Sequence, residues 1–233
     1  MRLNSTTMAF PGLDERVADV RARIDKAVAR GGHGQRVMIV AVTKTHGPDA
    51  ARAAYDAGLH DVGENKVQEA LKKMAAVDVP VRWHLIGHLQ RNKVKALDQF
   101  VLLHSLDSAR LADTVCEFGI SRGRAVDALV ELNLSGEDSK GGFTLSELRP
   151  EAERLASLSG IRVRGVMTMA SFTATASELH QTFAEARGAR EVLVQAGHPA
   201  EELSMGMSND YEIAVEEGST MVRLGTTLFG ARA

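Results

Sequence analysis

Apolar positions along the chain switch repeatedly between two periods. Over residues 12–30, GLDERVADVRARIDKAVAR, Leu13, Val17, Val20, Ile24 and Val28 recur near a 3.6-residue spacing, which predicts an amphipathic helix. Gly31 and Gly32 supply its stop. VMIVAVT (37–43) follows, a β-branched run of strand length without polar alternation. Such runs suit a parallel strand covered on both faces.

The switch then recurs to the end of the chain. Helices are predicted from Pro48 to Ala57, over 66–76, 90–97, 108–118 (with Asp107 as N-cap), 145–158 and 177–196, and from Asn209 to Glu217. Strands are predicted at 59–62, 82–87, 100–106, 126–134, 161–169, 202–207 and 220–225. The second of the eight strands ends in Gly63-Glu64-Asn65, and the fifth runs into a Gly-rich loop, SGEDSKGG. Eight strands, each but the last followed by a helix or helical turn, predict a parallel sheet. Eight units in about 190 residues fit a closed (β/α)8 TIM-type barrel. An open doubly wound sheet is the competing arrangement, and no GxGxxG follows the first strand to support its dinucleotide-binding version. Residues 1–11 are expected to be a flexible N-terminus and 12–233 a single barrel domain.

Composition narrows the partners. Apolar residues are 44% and charged residues 25%, ordinary for a soluble globular chain, and the net charge of −2 gives no general pull toward nucleic acid or anionic membrane. Aromatics at 4% leave little for base stacking. Cys116 is the single cysteine, which excludes an intrachain disulfide and a Cys-rich zinc site and fits a reducing compartment. No apolar run approaches a membrane span, and MRLNSTTMAFPG has no signal-type apolar region. A cytoplasmic location is expected.

In such a barrel the chemistry sits at the C-terminal ends of strands. Strand parity puts Met38, Val40, Val42 and Lys44 on one face. If that face points inward, Lys44 caps an apolar column at the mouth. Lost solvation there favours the neutral amine, the nucleophile that condenses with an aldehyde. A snorkelling strand-end lysine is the plainer alternative. Lys66 and Lys93 fall at helix starts and Lys140 lies in the Gly-rich loop, all solvated settings. The second feature is a pair of late turns. SMGMSND ends strand seven, where Ser208 can cap a helix. RLGTT ends strand eight, where Gly225 permits close backbone approach and Thr226 adds an amide and a hydroxyl. Turns after strands seven and eight are the recurring phosphate position in these barrels. Arg223 shares a face with Met221 and Gly225, so it would point at the same mouth, either to a ligand or to a structural carboxylate partner. His84 and His88 lack a third ligand for zinc. The methionines Met167, Met169, Met205 and Met207 suit core filling or the apolar wall of a site.

An aldehyde-reactive lysine together with a phosphate cradle suggests pyridoxal 5′-phosphate (PLP). From about residue 12 onward the chain resembles the YggS/PROSC family of PLP-binding homeostasis proteins. The motifs that carry the resemblance are AVTKTH around Lys44, GENKVQE (63–69), WHLIGHLQRNK (83–93), NLSGEDSKGGF (133–143), GVMTM (165–169), SMGMSND (204–210) and VRLGTTLFGAR (222–232). Thr43 departs slightly, standing where that family more often has Ser. The resemblance implies an alanine-racemase-like barrel of PLP fold-type III. It implies that Lys44 holds PLP as a Schiff base, that Ser208, Gly225 and Thr226 hold its phosphate, and that Asn65 lies near the ring. Arg223 would approach the phosphate or the pyridine nitrogen, and Met207 completes the candidate set.

The implied function is a PLP carrier or buffer serving intracellular PLP homeostasis, with PLP-dependent apoenzymes as recipients and the chain expected to be monomeric and not an enzyme. The enzymatic alternative is an amino-acid racemase, which needs acid/base groups on both faces of the bound amino acid. In the racemases that the chain resembles, a tyrosine from a second domain of a partner subunit supplies one of them. The only tyrosines here, Tyr55 and Tyr211, cannot be given that role from sequence. A class I aldolase-like barrel is a further alternative, disfavoured by a lysine on strand one and by the long family motifs.

Overall fold

The computed structural model of the chain describes residues 10–134 and 141–230. Its strands are β1 (Met38–Val42), β2 (Asp61–Glu64), β3 (Arg82–Leu85), β4 (Leu102–Leu106), β5 (Val126–Leu132), β6 (Ile161–Thr168), β7 (Glu202–Ser204) and β8 (Met221–Leu224). They pair in parallel in chain order, and β1 closes on β8 through Met38↔Met221, Ile39↔Val222, Val40↔Arg223 and Ala41↔Leu224, making a closed eight-stranded barrel. The helices outside it are α1 (Leu13–Gly31), α2 (Pro48–Asp56), α3 (Val67–Met74), α4 (Ala109–Ser121), α5 (Leu145–Ala156), α6 (Ala176–Gln195), α7 (Tyr211–Glu216) and α8 (Thr226–Phe229). A 3-10 segment, Arg91–Gln99, joins β3 to β4.

Strand parity separates two packing layers. Ile39 and Ala41 of β1 and Val222 and Leu224 of β8 face outward against Leu13, Val17, Val20 and Ile24 of α1. Burying each such aliphatic side chain stabilises by about 1.5–3 kcal/mol. Alanines Ala50, Ala53 and Ala54 let α2 approach closely in the same cluster. Inside the barrel, Leu102, Leu129, Met167 and Met221 pack together with Met38. Helices α5 and α6 each begin with a Thr-x-x-Glu capping box, Thr144/Glu147 and Thr175/Glu178, which satisfies first-turn amides.

Several boundaries differ from the pattern-based expectation. Strand β2 is Asp61–Glu64, so Gly63 and Glu64 are strand residues and not its terminator. Its inward Asp61 is polar because it bonds to His84, which hides the strand from a hydrophobicity reading. The N-cap of α4 is Ser108, whose hydroxyl accepts from the Leu111 amide at 3.4 Å, while Asp107 pairs with His88 at 2.6 Å. Helix α7 starts at Tyr211, and Ser208 does not cap it; Asp210 Oδ1 instead accepts from the Met207 amide at 2.5 Å. Strand β8 is followed by a helix after all, the single turn α8, too short to show a period. The predicted flexible N-terminus lies outside the described residues except Phe10 and Pro11, and the Phe10 ring meets Phe229 edge-on at 5.1 Å. Residues 135–140, including Lys140, also lie outside them.

Candidate functional site

A cleft of about 500 Å³ opens where the strands end. Val42 and Lys44 reach it from β1, Asn65 from β2, Met169 from β6, Met207, Ser208 and Asp210 from the turn after β7, and Arg223, Gly225 and Thr226 from β8. All seven residues singled out from the sequence therefore line one cavity. Lys44 is half-buried at its wall, directly above Val42 on the inward face.

The backbone on either side of Lys44 is held by a buried polar cluster. Lys73 of α3 is 5% exposed. Its ammonium donates to the Thr43 carbonyl at 2.7 Å, to Glu64 Oε1 at 2.7 Å and to Glu69 Oε1 at 3.0 Å. The Thr43 hydroxyl donates to the same Glu64 oxygen. Glu69 Oε1 also accepts from the Thr45 amide at 2.7 Å. Thr45 sits at φ 71°, a left-handed conformation disfavoured for a β-branched residue, and that amide bond helps hold it there. Burial pushes the Glu64 carboxyl upward, against the lowering bonds from Lys73 and Thr43. Three acceptors surround the Lys73 Nζ and Lys73 does not line the cleft, so its amine is committed to this cluster and not to a ligand. Lys66, at the N-cap position of α3, is exposed. Sequence reasoning missed the Lys73 cluster; the only available signal was that it lies four residues after Glu69 and nine after Glu64.

The floor of the cleft is Arg223, 4% exposed. It donates through Nη1 to the Ser204 carbonyl at 2.6 Å and hydroxyl at 2.5 Å, and through Nη2 to the Thr168 carbonyl at 2.9 Å. Its hydrogen bonds thus go to neutral groups, and no carboxylate lies within ion-pair distance of it among the described residues. Burial lowers its pKa to about 10, with Asp210 and Glu131 pulling the other way. Behind it a polar chain crosses the barrel interior. Ser204 Oγ lies 2.9 Å from His104 Nδ1, His104 Nε2 lies 2.9 Å from His84 Nδ1, and His84 Nε2 lies 2.9 Å from Asp61 Oδ1. Arg82 pairs with Asp61 at the opposite end of the barrel. His84 is therefore a barrel-interior residue and His88 an exposed partner of Asp107. Among the described residues no group of three or more His, Cys, Asp and Glu is placed to hold a metal.

The two late turns meet at the cleft edge. Ser208 Oγ accepts from the Thr227 amide at 3.3 Å, and the Thr227 hydroxyl donates to the Ser208 carbonyl at 3.4 Å. Gly225 needs no glycine for packing, since an added Cβ would meet Val42 at an ordinary 3.5 Å. Gly206 is the opposite case. Its φ is 93°, and a Cβ would lie 2.7 Å from Ala214 and 2.9 Å from Tyr211. Gly87 lets Asn65 sit at the cleft, because a Cβ there would come within 2.5 Å of the Asn65 carbonyl and side-chain oxygens. Met167 and Met205 are buried core residues, whereas Met169 and Met207 line the cleft.

A closed parallel barrel with a lysine just past β1 and paired turns after β7 and β8 belongs to a known class. The alanine racemase N-terminal domain family matches residues 16–233, which defines that class. The fold alone is shared with alanine racemase from Corynebacterium glutamicum, at a TM-score of 0.69 and 17% identity over 91% of this chain and 61% of that one. Within the class the chain belongs to the pyridoxal phosphate homeostasis protein family. It is 40% identical to the pyridoxal phosphate homeostasis protein of Aquifex aeolicus over 94% of this chain and 97% of that protein. It is 36% identical to the Escherichia coli K12 protein of that name over 93% of this chain and 95% of that one. The structure of PipY from Synechococcus elongatus with PLP bound superposes at a TM-score of 0.83, with 36% identity over 94% of this chain and 100% of that chain.

Proposed function

We propose that the cleft holds PLP and that the chain acts as a carrier and buffer of this cofactor. PLP supplies an aldehyde that condenses reversibly with a neutral primary amine and releases water. Lys44 is the covalent anchor. The Ser208 hydroxyl and the Gly225 and Thr226 amides hold the phosphate, at the strand positions where such barrels bind phosphate. Arg223 donates to the ring nitrogen from the floor, while Asn65 and Met207 flank the ring. The residues fit the group on a local observation: Gly225 is not required by the barrel's own packing, so keeping that surface bare serves whatever enters the cleft.

A carrier is favoured over a racemase on two grounds. A guanidinium offers only N–H donors, so a ring nitrogen facing Arg223 stays unprotonated and withdraws electrons weakly. Neither tyrosine lines the cleft among the described residues. Tyr55 meets His60 edge-on at 4.9 Å, and Tyr211 is 2% exposed. Reversible exchange at Lys44, by an incoming amine or by water, would limit free aldehyde and supply PLP-dependent apoenzymes in the cytoplasm from a monomeric carrier. Among the described residues no helix is long and apolar enough to cross a membrane.

The single observation that carries this reading is the convergence of Lys44 and the Ser208/Gly225/Thr226 turns on one cleft of PLP-accommodating size. Titration of the purified chain with PLP, followed by absorbance, tests it. Wild type should develop the band of a lysine-bound cofactor and Lys44→Ala should not. An unchanged band in Lys44→Ala, or no binding by wild type, rejects the assignment.

A further inference from the structure

We propose that Glu69, with Lys73 behind it, is a positioning residue for Lys44. The inference rests on Lys44 being the PLP anchor and concerns how that amine is aimed. Neither residue lines the cleft. Lys44 is flanked in sequence by two residues that this cluster grips. On one side the Thr43 carbonyl accepts from Lys73 at 2.7 Å and the Thr43 hydroxyl donates to Glu64. On the other side the Thr45 amide donates to Glu69 Oε1 at 2.7 Å. The same Glu69 oxygen accepts from Lys73 at 3.0 Å, so one ammonium ties both flanks together. Glu64 and Lys73 are almost fully buried, which removes water as a competitor for the bonds on the Thr43 side, whereas the Thr45–Glu69 bond lies at the surface.

The geometry explains why the left-handed Thr45 is tolerated. A non-glycine residue at φ 71° relaxes unless its surroundings hold it. With the Thr45 amide released, the turn after β1 is free to relax, and Lys44 loses its fixed exit from the barrel. In the condensation, the amine nitrogen forms the C=N bond and the aldehyde oxygen leaves as water, with no oxidant or reductant. Its rate therefore depends on holding nitrogen and carbonyl carbon in reach, and misplacement by about 1 Å can cost on the order of a hundredfold.

The test compares Glu69→Ala with Glu69→Gln. Glutamine keeps the one oxygen that accepts from both Thr45 and Lys73; alanine removes it. Two quantities are read: the rate of PLP attachment to Lys44 by stopped-flow absorbance, and the affinity for pyridoxine 5′-phosphate, which carries an alcohol in place of the aldehyde. Glu69→Ala should slow attachment about tenfold or more while alcohol affinity stays within about twofold. Glu69→Gln should restore most of the rate. Lys73→Met should repeat the Ala phenotype if circular dichroism shows it folded; the Glu69 pair does not depend on that variant, because Glu69 is partly exposed and leaves no buried carboxylate behind. Wild-type attachment rates in Glu69→Ala, a parallel loss of alcohol affinity, or a Gln variant as slow as Ala would each overturn the inference. If wild type itself fails to attach PLP at Lys44, the functional reading fails first; if only the Glu69 comparison fails, that reading stands.

Discussion

His84 and His104 meet nitrogen to nitrogen at 2.9 Å inside the barrel and link Asp61 at one end to Arg223 at the other. Donor counting gives this chain a direction. Arg223 can only donate, so Ser204 Oγ accepts from it, and among the described residues the hydroxyl proton of Ser204 has only His104 Nδ1 as acceptor. His104 Nε2–H then donates to His84 Nδ1, and His84 Nε2–H donates to the Asp61 carboxylate. Desolvation, with His84 and Arg223 nearby, holds the His104 pKa well below the usual value. The Asp61 carboxyl is held down at about 2: burial pushes it up, but the bonds from His84 and Arg82 outweigh that. Nitrogen-15 NMR should therefore find His104 as the neutral Nε2–H tautomer, and it should stay neutral as the pH is lowered through the usual imidazole range. An Nδ1–H tautomer at His104 would reverse the direction.

Breaking that chain should be costly out of proportion to the atom removed. Ser204→Ala leaves Arg223 and His104 each short of a buried partner, at about 1–3 kcal/mol. Chemical denaturation should show that loss, whereas Ser121→Ala on an exposed helix end should change stability by less than about 0.5 kcal/mol.

Glu131 gives a pH dependence with a definite sign. Burial, with Asp107 adding to it, raises its carboxyl from 4.5 to about 7. The folded state therefore binds a proton more readily than the unfolded state, and stability contributed by that proton falls as pH rises from 4.5 to about 7. Glu131→Gln should match wild type near pH 4.5 and exceed it by about 1–3 kcal/mol at pH 8. A constant difference across that range would show that the carboxyl is not perturbed by the fold.

Two glycines of the cleft turns should respond oppositely to alanine. Gly206→Ala places a Cβ within 3 Å of Ala214 and Tyr211 at a left-handed position and should cost about 2 kcal/mol or more. Gly225→Ala meets only Val42 and should leave thermal unfolding within a few degrees of wild type. Its PLP affinity should nonetheless fall at least about tenfold, as calorimetry can measure. Equal destabilisation by both would remove the argument that Gly225 is kept bare for a ligand.

The barrel was legible because β1 is an apolar run, β5 and β6 are rich in Val, Leu and Ile, and amphipathic helices separate the strands, a pattern with few solutions. The cleft residues were legible because Lys44, Ser208 and Gly225 are out of character at strand ends. Strand β2 lies later than the apolar pattern predicts because Asp61 faces inward and has its reason in His84, on the neighbouring strand. Lys73 was invisible for a similar reason. Within VQEALKKM it looks like Lys72, a solvated helix lysine, and only its contact with the Thr43 carbonyl thirty residues earlier makes it a buried one. Ser208 has the sequence signature of a helix cap, but the turn after β8 supplies its partner instead, through the Thr227 amide.

A single amine, on Lys44, is proposed to carry the cofactor. Borohydride reduction of PLP-loaded protein followed by peptide mapping measures this directly. The pyridoxyl label should fall on the peptide containing Lys44, with Lys73 unlabelled. Label found mainly on another lysine, or none retained after reduction, would rule out Lys44 as the anchor.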